Sequence, residues 1–346
     1  MGIRREPPDG PPDGPPALDA HELNRPLHLR RRSWKHRLLC AVLAVVLALA
    51  GCLAYLDGRL EGERVLDDYT GRPPDTPGTT WLIVGSDSRD GLSAEEVREL
   101  HAGGGGGRRA DTMMLLHTGA HGTTMVSLPR DTLVPIPGGR PDKINTAFAL
   151  GGPRLLARTV ERTSRIRIDH YVEIGFGGFV GMVDAVGGVR MCIKRRVRDD
   201  KAGIDLRPGC QKLDGKTALG FVRSRKAFAG GDLDRAENQR RLLADLVEQV
   251  TEPGVLANPF RVVPFALAGT DSFTVGEGDH LWNMARFAWA LRGVTRGGGT
   301  TTTVPTRPGR RPLPRVGSYL RLDPVKAPAL FKALREDRPV PVPRDR

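Results

Sequence analysis

The segment Phe221–Arg241, FVRSRKAFAGGDLDRAENQRR, gathers groups suited to holding an anion. It reads as a strand, a loop and the start of a helix. On a strand, Phe221, Arg223 and Arg225 share one face, because side chains alternate. Gly230-Gly231 lets the backbone turn, and Asp232 suits the N-cap of the next helix. In that helix Arg235, Gln239, Leu242 and Leu246 fall on one stripe. The leucines belong in a core, so Arg235 and Gln239 occupy the inward end of the stripe, where a purely structural helix would carry apolar residues. Three arginines, a glutamine and a helix N-terminus converging on one spot make an anion site, above all for phosphates. The alternative is a set of surface salt bridges.

A second set of charges stands at strand ends. Trp81–Val84 is a short, continuously apolar strand, which predicts burial on both faces as in an α/β sheet. Gly85-Ser86-Asp87-Ser88-Arg89 follows at its C-terminal end, where open α/β sheets place their sites. Asp87 could bind a metal, and Arg89 could pair with it or with a phosphate. Arg109 and Asp111 precede the strand Met113–His117, and Arg130 and Asp131 follow the strand 123–128. Each pair alone reads as ordinary Arg–Asp pairing. Repetition of the pattern at strand ends suggests one rim. Lys143 opens a helix nearby.

The elements needed to position these groups are set by the apolar pattern. Residues 113–117 and 123–128 form a hairpin. Ser93 and Glu96 make a capping box for a short helix ending at Leu100. Helices are expected from Lys143, interrupted at Gly151-Gly152, and again from Pro153 to about Thr163. A strand at 168–174, a helix at 176–186 and a strand from Val189 continue a β–α–β–α order, which argues for an α/β layered fold. Helices at 255–267, 281–292 and 324–337 and a late strand at 300–304 complete it, and Asp279-His280 is assigned a capping role. Gly103–Gly107 is not a nucleotide loop, since no Gly-Lys-Ser/Thr comes after it.

The chain carries 53 Lys and Arg against 40 Asp and Glu, a net charge of +13. Residues 1–37 are a Pro-, Gly- and Asp-rich stretch ending in a basic cluster, expected to be disordered and cytoplasmic. Leu38–Leu56 has no charge and is long enough for a bilayer core of about 30 Å. With its basic flank inside, it reads as a single-pass signal anchor, with everything after it outside the cell membrane. Residues 57–79 read as a linker, 80–305 as the extracytoplasmic domain, and 306–346 as a Pro/Arg-rich tail with a terminal helix. A domain outside the membrane meets no ATP supply and no chromosome, so the positive charge is assigned to a lipid-linked anion and not to nucleic acid. Cys192 and Cys210 are expected to be disulfide-bonded; the eight His show no metal-ligand spacing.

GSDSR (85–89), RADT (109–112), SLPRDT (127–132), KINTAF (143–148), VDAVGGV (183–189), LDGKTALGFVRSR (213–225) and DLDRAENQ (232–239) together resemble the LytR-CpsA-Psr family of bacterial envelope proteins. The resemblance runs from about Thr80 to Val304. It implies a three-layer α/β/α sandwich with a central mixed sheet, preceded by one transmembrane helix. It implies a phosphotransferase that moves a glycopolymer phosphate from a polyprenyl-pyrophosphate carrier to peptidoglycan, with an apolar pocket for the prenyl chain. Carried over by motif, Asp87 and Asp111 hold Mg²⁺, and Arg109, Arg130, Arg223, Arg225, Arg235 and Gln239 hold the pyrophosphate. Asp232, Lys143 and Arg89 support the site. The general base is left open among Asp87, Asp131 and Asp232. The segment between Asp87 and Asp111 departs from the family pattern in its length and its glycine run. Two other readings stand beside the transferase: pyrophosphate hydrolysis without an acceptor, and a non-catalytic membrane-anchored regulator.

Overall fold

The computed structural model describes residues 28–89, 92–100, 108–224 and 272–340, together with 242, 245, 246, 248, 249, 267, 269 and 270. The chain forms two units, Met1–Cys52 and Leu53–Arg346. Most of helix α1 (His28–Asp57) lies in the first. Its part Trp34–Asp57 contains an 18-residue stretch with a mean hydropathy of 2.7 and is long and apolar enough to cross a membrane.

The second unit begins with β1 (Glu61–Glu63), β2 (Thr79–Ser86), α2 (Ala94–Glu99), β3 (Ala110–Gly119) and β4 (Gly122–Ser127). Short strands β5 (Leu133–Val134) and β6 (Asp142–Lys143) lead into α3 (Ile144–Ser164), β7 (His170–Ile174) and α4 (Phe176–Ala185). Then come β8 (Val189–Ile193), β9 (Val197–Asp199), β10 (Ile204–Leu206), β11 (Gly209–Leu213) and α5 (Gly215–Arg223). The described chain resumes with β12 (Phe273–Gly276), α6 (Leu281–Gly293), β13 (Thr300–Thr303), β14 (Thr306–Pro308), β15 (Leu320–Leu322) and α7 (Lys326–Arg335).

Among the described residues, seven strands build one mixed sheet in the order β1-β12-β7-β2-β3-β4-β13. Strand β2 runs parallel to β7 and antiparallel to β3, and β3 and β4 are the expected hairpin. Alternation along β3 sends Met113 and Leu115 to one face and Met114 and Leu116 to the other. The first pair packs with Phe148, Leu156 and Val160 of α3 and Leu330 and Phe331 of α7. The second pair packs with Phe287, Ala290 and Leu291 of α6. The result is a helix–sheet–helix sandwich. A satellite core joins α4, α5, the antiparallel pair β8–β11 and the hairpin β9–β10 between them in the chain, and it includes Leu242 and Leu246, as their stripe requires. Cys192 and Cys210 are paired residues of β8 and β11 and form a disulfide. In α3 the backbone leaves helical values at Gly151 and Gly152, so a second helix restarts at Pro153.

Three segments differ from expectation. Phe221 and Arg223 lie on α5 and not on a strand. The run DGKTALGF has a good N-cap in Asp214, whose carboxylate accepts from the Thr217 N–H at 2.8 Å, and a helical stripe in Ala218, Leu219 and Phe221. Those signals override the alternation of the arginines. Residues 57–79 are built into the fold: β1 pairs with β12, and Tyr69 and Arg72 both bond the buried Glu161. The segment after 305 adds a hairpin, β14–β15, and packs α7 onto the main core.

Candidate active site

The site lies where β2, β3 and β4 end together. Asp87 follows β2. Its backbone N–H donates to the Arg109 carbonyl at 2.9 Å, and its Oδ1 accepts the Arg109 N–H at 2.5 Å, so the loop after β2 is clamped to the start of β3. Beside this clamp the β2–β3 ladder slips. Gly85 pairs with Thr112 but Ser86 pairs with Ala110, which makes Asp111 the extra residue of a bulge. A bulge re-aims the side chain that it carries. On the other side, Gly175 at the head of α4 has no Cβ, and one would stand 3.2 Å from the Ser88 carbonyl oxygen. That close approach lets the Phe176 N–H donate to the same carbonyl.

Arg130 and Asp131 sit in the loop after β4. Arg130 Nη1 donates to Asp111 Oδ1 at 2.5 Å, and its Nε lies 3.6 Å from Asp131 Oδ2. Asp131 Oδ1 in turn meets Lys143 Nζ at 2.9 Å. Lys143 ends β6 and precedes α3, whose first amides are tied to the same loop: Ile144 N–H donates to the Thr132 carbonyl and Asn145 N–H to that of Arg130. These contacts make a row of alternating charge, Asp111–Arg130–Asp131–Lys143, that ends beside the first turn of a helix.

These groups line a cleft of about 590 Å³ with Asp87, Arg109, Asp142, Asn145, Thr146, Ala149, Arg315 and Val316. Burial raises the pKa of Asp87, the Arg109 N–H opposes this, and the charge of Asp111 raises it further. Two neighbouring carboxylates, Asp87 and Asp111, offer hard oxygen donors that suit Mg²⁺, which takes one or two protein carboxylates and completes its shell with water and phosphate oxygens. Among the described residues no group of three or more His, Cys, Asp or Glu is placed to hold a metal ion, in this cleft or elsewhere, so the protein would supply only the two carboxylates.

The structure thus brings together Asp87, Asp111, Arg109, Arg130, Asp131 and Lys143. Arg89 does not line the cleft, but its charge is close enough to act on Asp87. Arg223 does not line it either. Its Nη1 donates to the Leu100 carbonyl at 2.9 Å and its guanidinium stacks over the Phe176 ring at 4.5 Å. Arg225, Asp232, Arg235 and Gln239 lie outside the described residues. Sequence reasoning missed Asn145, Thr146 and Arg315 as lining residues. The first two carry a signal, since polar residues in the first turn of a helix behind an Arg–Asp pair suit an anion. Arg315 carries none, because only the β14–β15 hairpin brings it there.

The LytR_cpsA_psr family pattern matches residues 64–270, which include Asp87, Arg109, Asp111, Arg130, Asp131 and Lys143. The chain belongs to the LytR-CpsA-Psr family. It is 45% identical over 316 residues to a probable cell wall biosynthesis protein LcpB of Corynebacterium glutamicum, an alignment covering 88% of this chain and 74% of the relative. It is 40% identical over 137 residues to a polyisoprenyl-teichoic acid–peptidoglycan teichoic acid transferase TagU of Enterococcus faecalis, covering 39% of this chain and 45% of the relative. Among solved structures, a LytR-Csp2A-Psr enzyme from Actinomyces oris matches its fold with a TM-score of 0.60 at 23% identity, over 80% of this chain and 96% of that one. Family membership accounts for the mixed sheet with helices on both faces. Arg315 lies beyond the residues that the family pattern matches.

Proposed function

We propose that this protein is a membrane-anchored, extracytoplasmic transferase that moves a glycopolymer from a polyprenyl-pyrophosphate carrier onto peptidoglycan during cell-wall assembly. The observation that carries the reading is the cleft itself, which two carboxylates, Asp87 and Asp111, line together with three cations, Arg109, Arg130 and Lys143. The relatives named for cell-wall biosynthesis and teichoic acid transfer support the substrate class. The apolar helix Trp34–Asp57 supports the anchor, and the basic cluster before it supports an inside N-terminus.

In this reading an acceptor hydroxyl oxygen attacks the glycan-bearing phosphorus of the pyrophosphate. The bond from that phosphorus to the bridging oxygen breaks, and polyprenyl phosphate leaves. The glycan phosphate ends as a phosphodiester to the acceptor, and the hydroxyl proton passes to a carboxylate. Such transfer needs positioning and charge neutralisation more than covalent chemistry. Arg109 and Arg130 offer guanidinium donors that match phosphate oxygens. Asn145 and Thr146 add the positive end of α3. Asp87 and Asp111 would hold Mg²⁺, which when bound neutralises charge developing on the phosphate oxygens. The proton goes to one of Asp87, Asp131 and Asp232, of which Asp87 and Asp131 line the cleft. Arg223, Arg225, Arg235 and Gln239 remain assigned to the pyrophosphate and Asp232 to its support, on the strength of the motifs that contain them.

The test uses the full chain in detergent with Mg²⁺ and a lipid-pyrophosphate glycan. Release of polyprenyl phosphate should require an acceptor glycan. Release that proceeds equally without acceptor would replace transfer by hydrolysis, and no release under either condition would overturn the reading.

A further inference from the structure

Helix α6 covers one face of the sheet with Phe287, Ala290 and Leu291. The outer face of such a helix is ordinarily polar. Here it carries Trp282, Ala285, Arg286, Ala288 and Trp289, and both indoles are 72% exposed. The two tryptophans are seven residues apart, so they lie on the same side about 10 Å from each other along the axis. Arg292 places its guanidinium over the Trp289 ring at 5.4 Å. Two exposed indoles flanked by Arg286 and Arg292 are the composition of an amphipathic helix at a membrane–water interface, where the ring is buried at headgroup level and the cations meet anionic lipid.

The chain's own connectivity indicates what covers this face. Asp57 is the last residue of the candidate span. Its Oδ1 accepts the Leu281 N–H at 2.8 Å and its Oδ2 meets His280 Nδ1 at 2.9 Å, which fixes the first residue of α6 to the point where the chain leaves the apolar run. Leu56 is buried in the same unit. A segment tied to the end of a membrane span starts within a few ångströms of the bilayer surface.

We propose that the Trp282–Trp289 face of α6 docks on the outer leaflet of the membrane that anchors the chain. The contact holds the domain at the headgroup layer, from which a lipid-linked donor must be taken. This inference rests on the membrane-anchor reading of Trp34–Asp57.

The experiment reconstitutes the full chain into vesicles of phosphatidylcholine with a minority of phosphatidylglycerol, with and without bromine on the acyl chains, and reads tryptophan emission. In the W34F chain, bromolipid should quench roughly half or more of the emission. In W34F/W282F/W289F, which keeps only the buried Trp81, it should quench almost none. The W282F/W289F chain reports Trp34 at the head of the span and serves as the control for anchoring. Quenching of Trp34 with no quenching in the W34F chain, and free access of iodide to its indoles, would overturn the docking while leaving the anchor intact. Indoles shielded from iodide yet insensitive to bromolipid would assign the face to a protein neighbour, such as a second copy, and would equally overturn it. Failure of the chain to float with vesicles, with Trp34 unquenched, would remove the anchor reading and the docking with it.

Discussion

Asp111 is the residue that the β2–β3 ladder skips, and Arg130, from the loop after β4, is the side chain that holds it, at 2.5 Å. A backbone irregularity in one strand is thus matched to a cation from the next turn of chain. Removing the cation leaves a half-buried carboxylate beside Asp87. R130A should lower turnover by about 10²–10³-fold, the usual cost of losing one donor aimed at developing charge. It should also cost about 1–3 kcal/mol of stability, read by thermal unfolding, because a partner of the Arg is left unsatisfied. R130K should restore stability more than turnover, since an ammonium lacks the guanidinium fork. Equal recovery of both would argue that Arg130 is only structural.

If Asp87 and Asp111 share a divalent cation, each single change should weaken Mg²⁺ binding. Titration calorimetry of D87N and D111N should show at least a ~10-fold loss of affinity in each, with the fold intact by circular dichroism. Unaltered Mg²⁺ affinity in both variants would move the metal elsewhere.

Much of this site was legible because its residues are close in sequence to the ends of apolar strands. Asp87 after Trp81–Val84, Arg109 and Asp111 before Met113–His117, and Arg130 and Asp131 after 123–128 needed only the expectation that strand ends meet at one rim. The bulge at Asp111 was not legible, since nothing in Arg-Ala-Asp-Thr marks a skipped pair. Arg223 was read on the wrong element because Phe221, Arg223 and Arg225 alternate, whereas the Asp214 N-cap and the apolar stripe it starts dictate a helix. The packing of residues 57–79 was hidden for another reason. Their Pro and Gly suggested a linker, but the side chains that tie them down, Tyr69 and Arg72, find Glu161 far along the chain.

Arg315 reaches the cleft from a hairpin tied to the motif loop, where the Leu320 N–H donates to the Asp131 carbonyl at 2.9 Å. It is exposed, so its contribution to binding an anionic donor is screened. R315A should raise KM for the lipid-pyrophosphate donor by roughly fivefold with kcat nearly unchanged, the pattern of lost uniform binding. Stability should move by less than about 0.5 kcal/mol. A fall in kcat at constant KM would place Arg315 at the reacting phosphate instead.

The Cys192–Cys210 disulfide joins directly paired residues of β8 and β11, 18 positions apart in sequence. It staples a satellite core built on short strands. A loop of that size corresponds to about 3 kcal/mol of stabilisation. C192S should lose about that much in denaturant unfolding, and reductant should destabilise the natural chain but not the variant. Insensitivity of the natural chain to reductant would sink the idea.

Asp323, ahead of α7, accepts from the Val325 and Lys326 N–H groups at 3.0 Å each and from Arg307 Nε at 2.7 Å. Chiefly the Lys326 and Val325 N–H groups, with help from Arg307, pull its pKa down to about 2. An acid with a depressed folded-state pKa binds its proton more readily when unfolded, where the value is about 3.9. Its contribution is therefore complete above about pH 5, declines below the unfolded value of about 3.9 and is lost as pH falls through about 2. The carboxylate orders the first turn of α7, which supplies Leu330 and Phe331 to the main core. Melting temperatures of the natural chain and D323N should differ by a constant amount above about pH 5, and the gap should narrow steadily toward about pH 2. A gap of the same size at both ends of that range would mean that Asp323 acts through its shape and not through its charge.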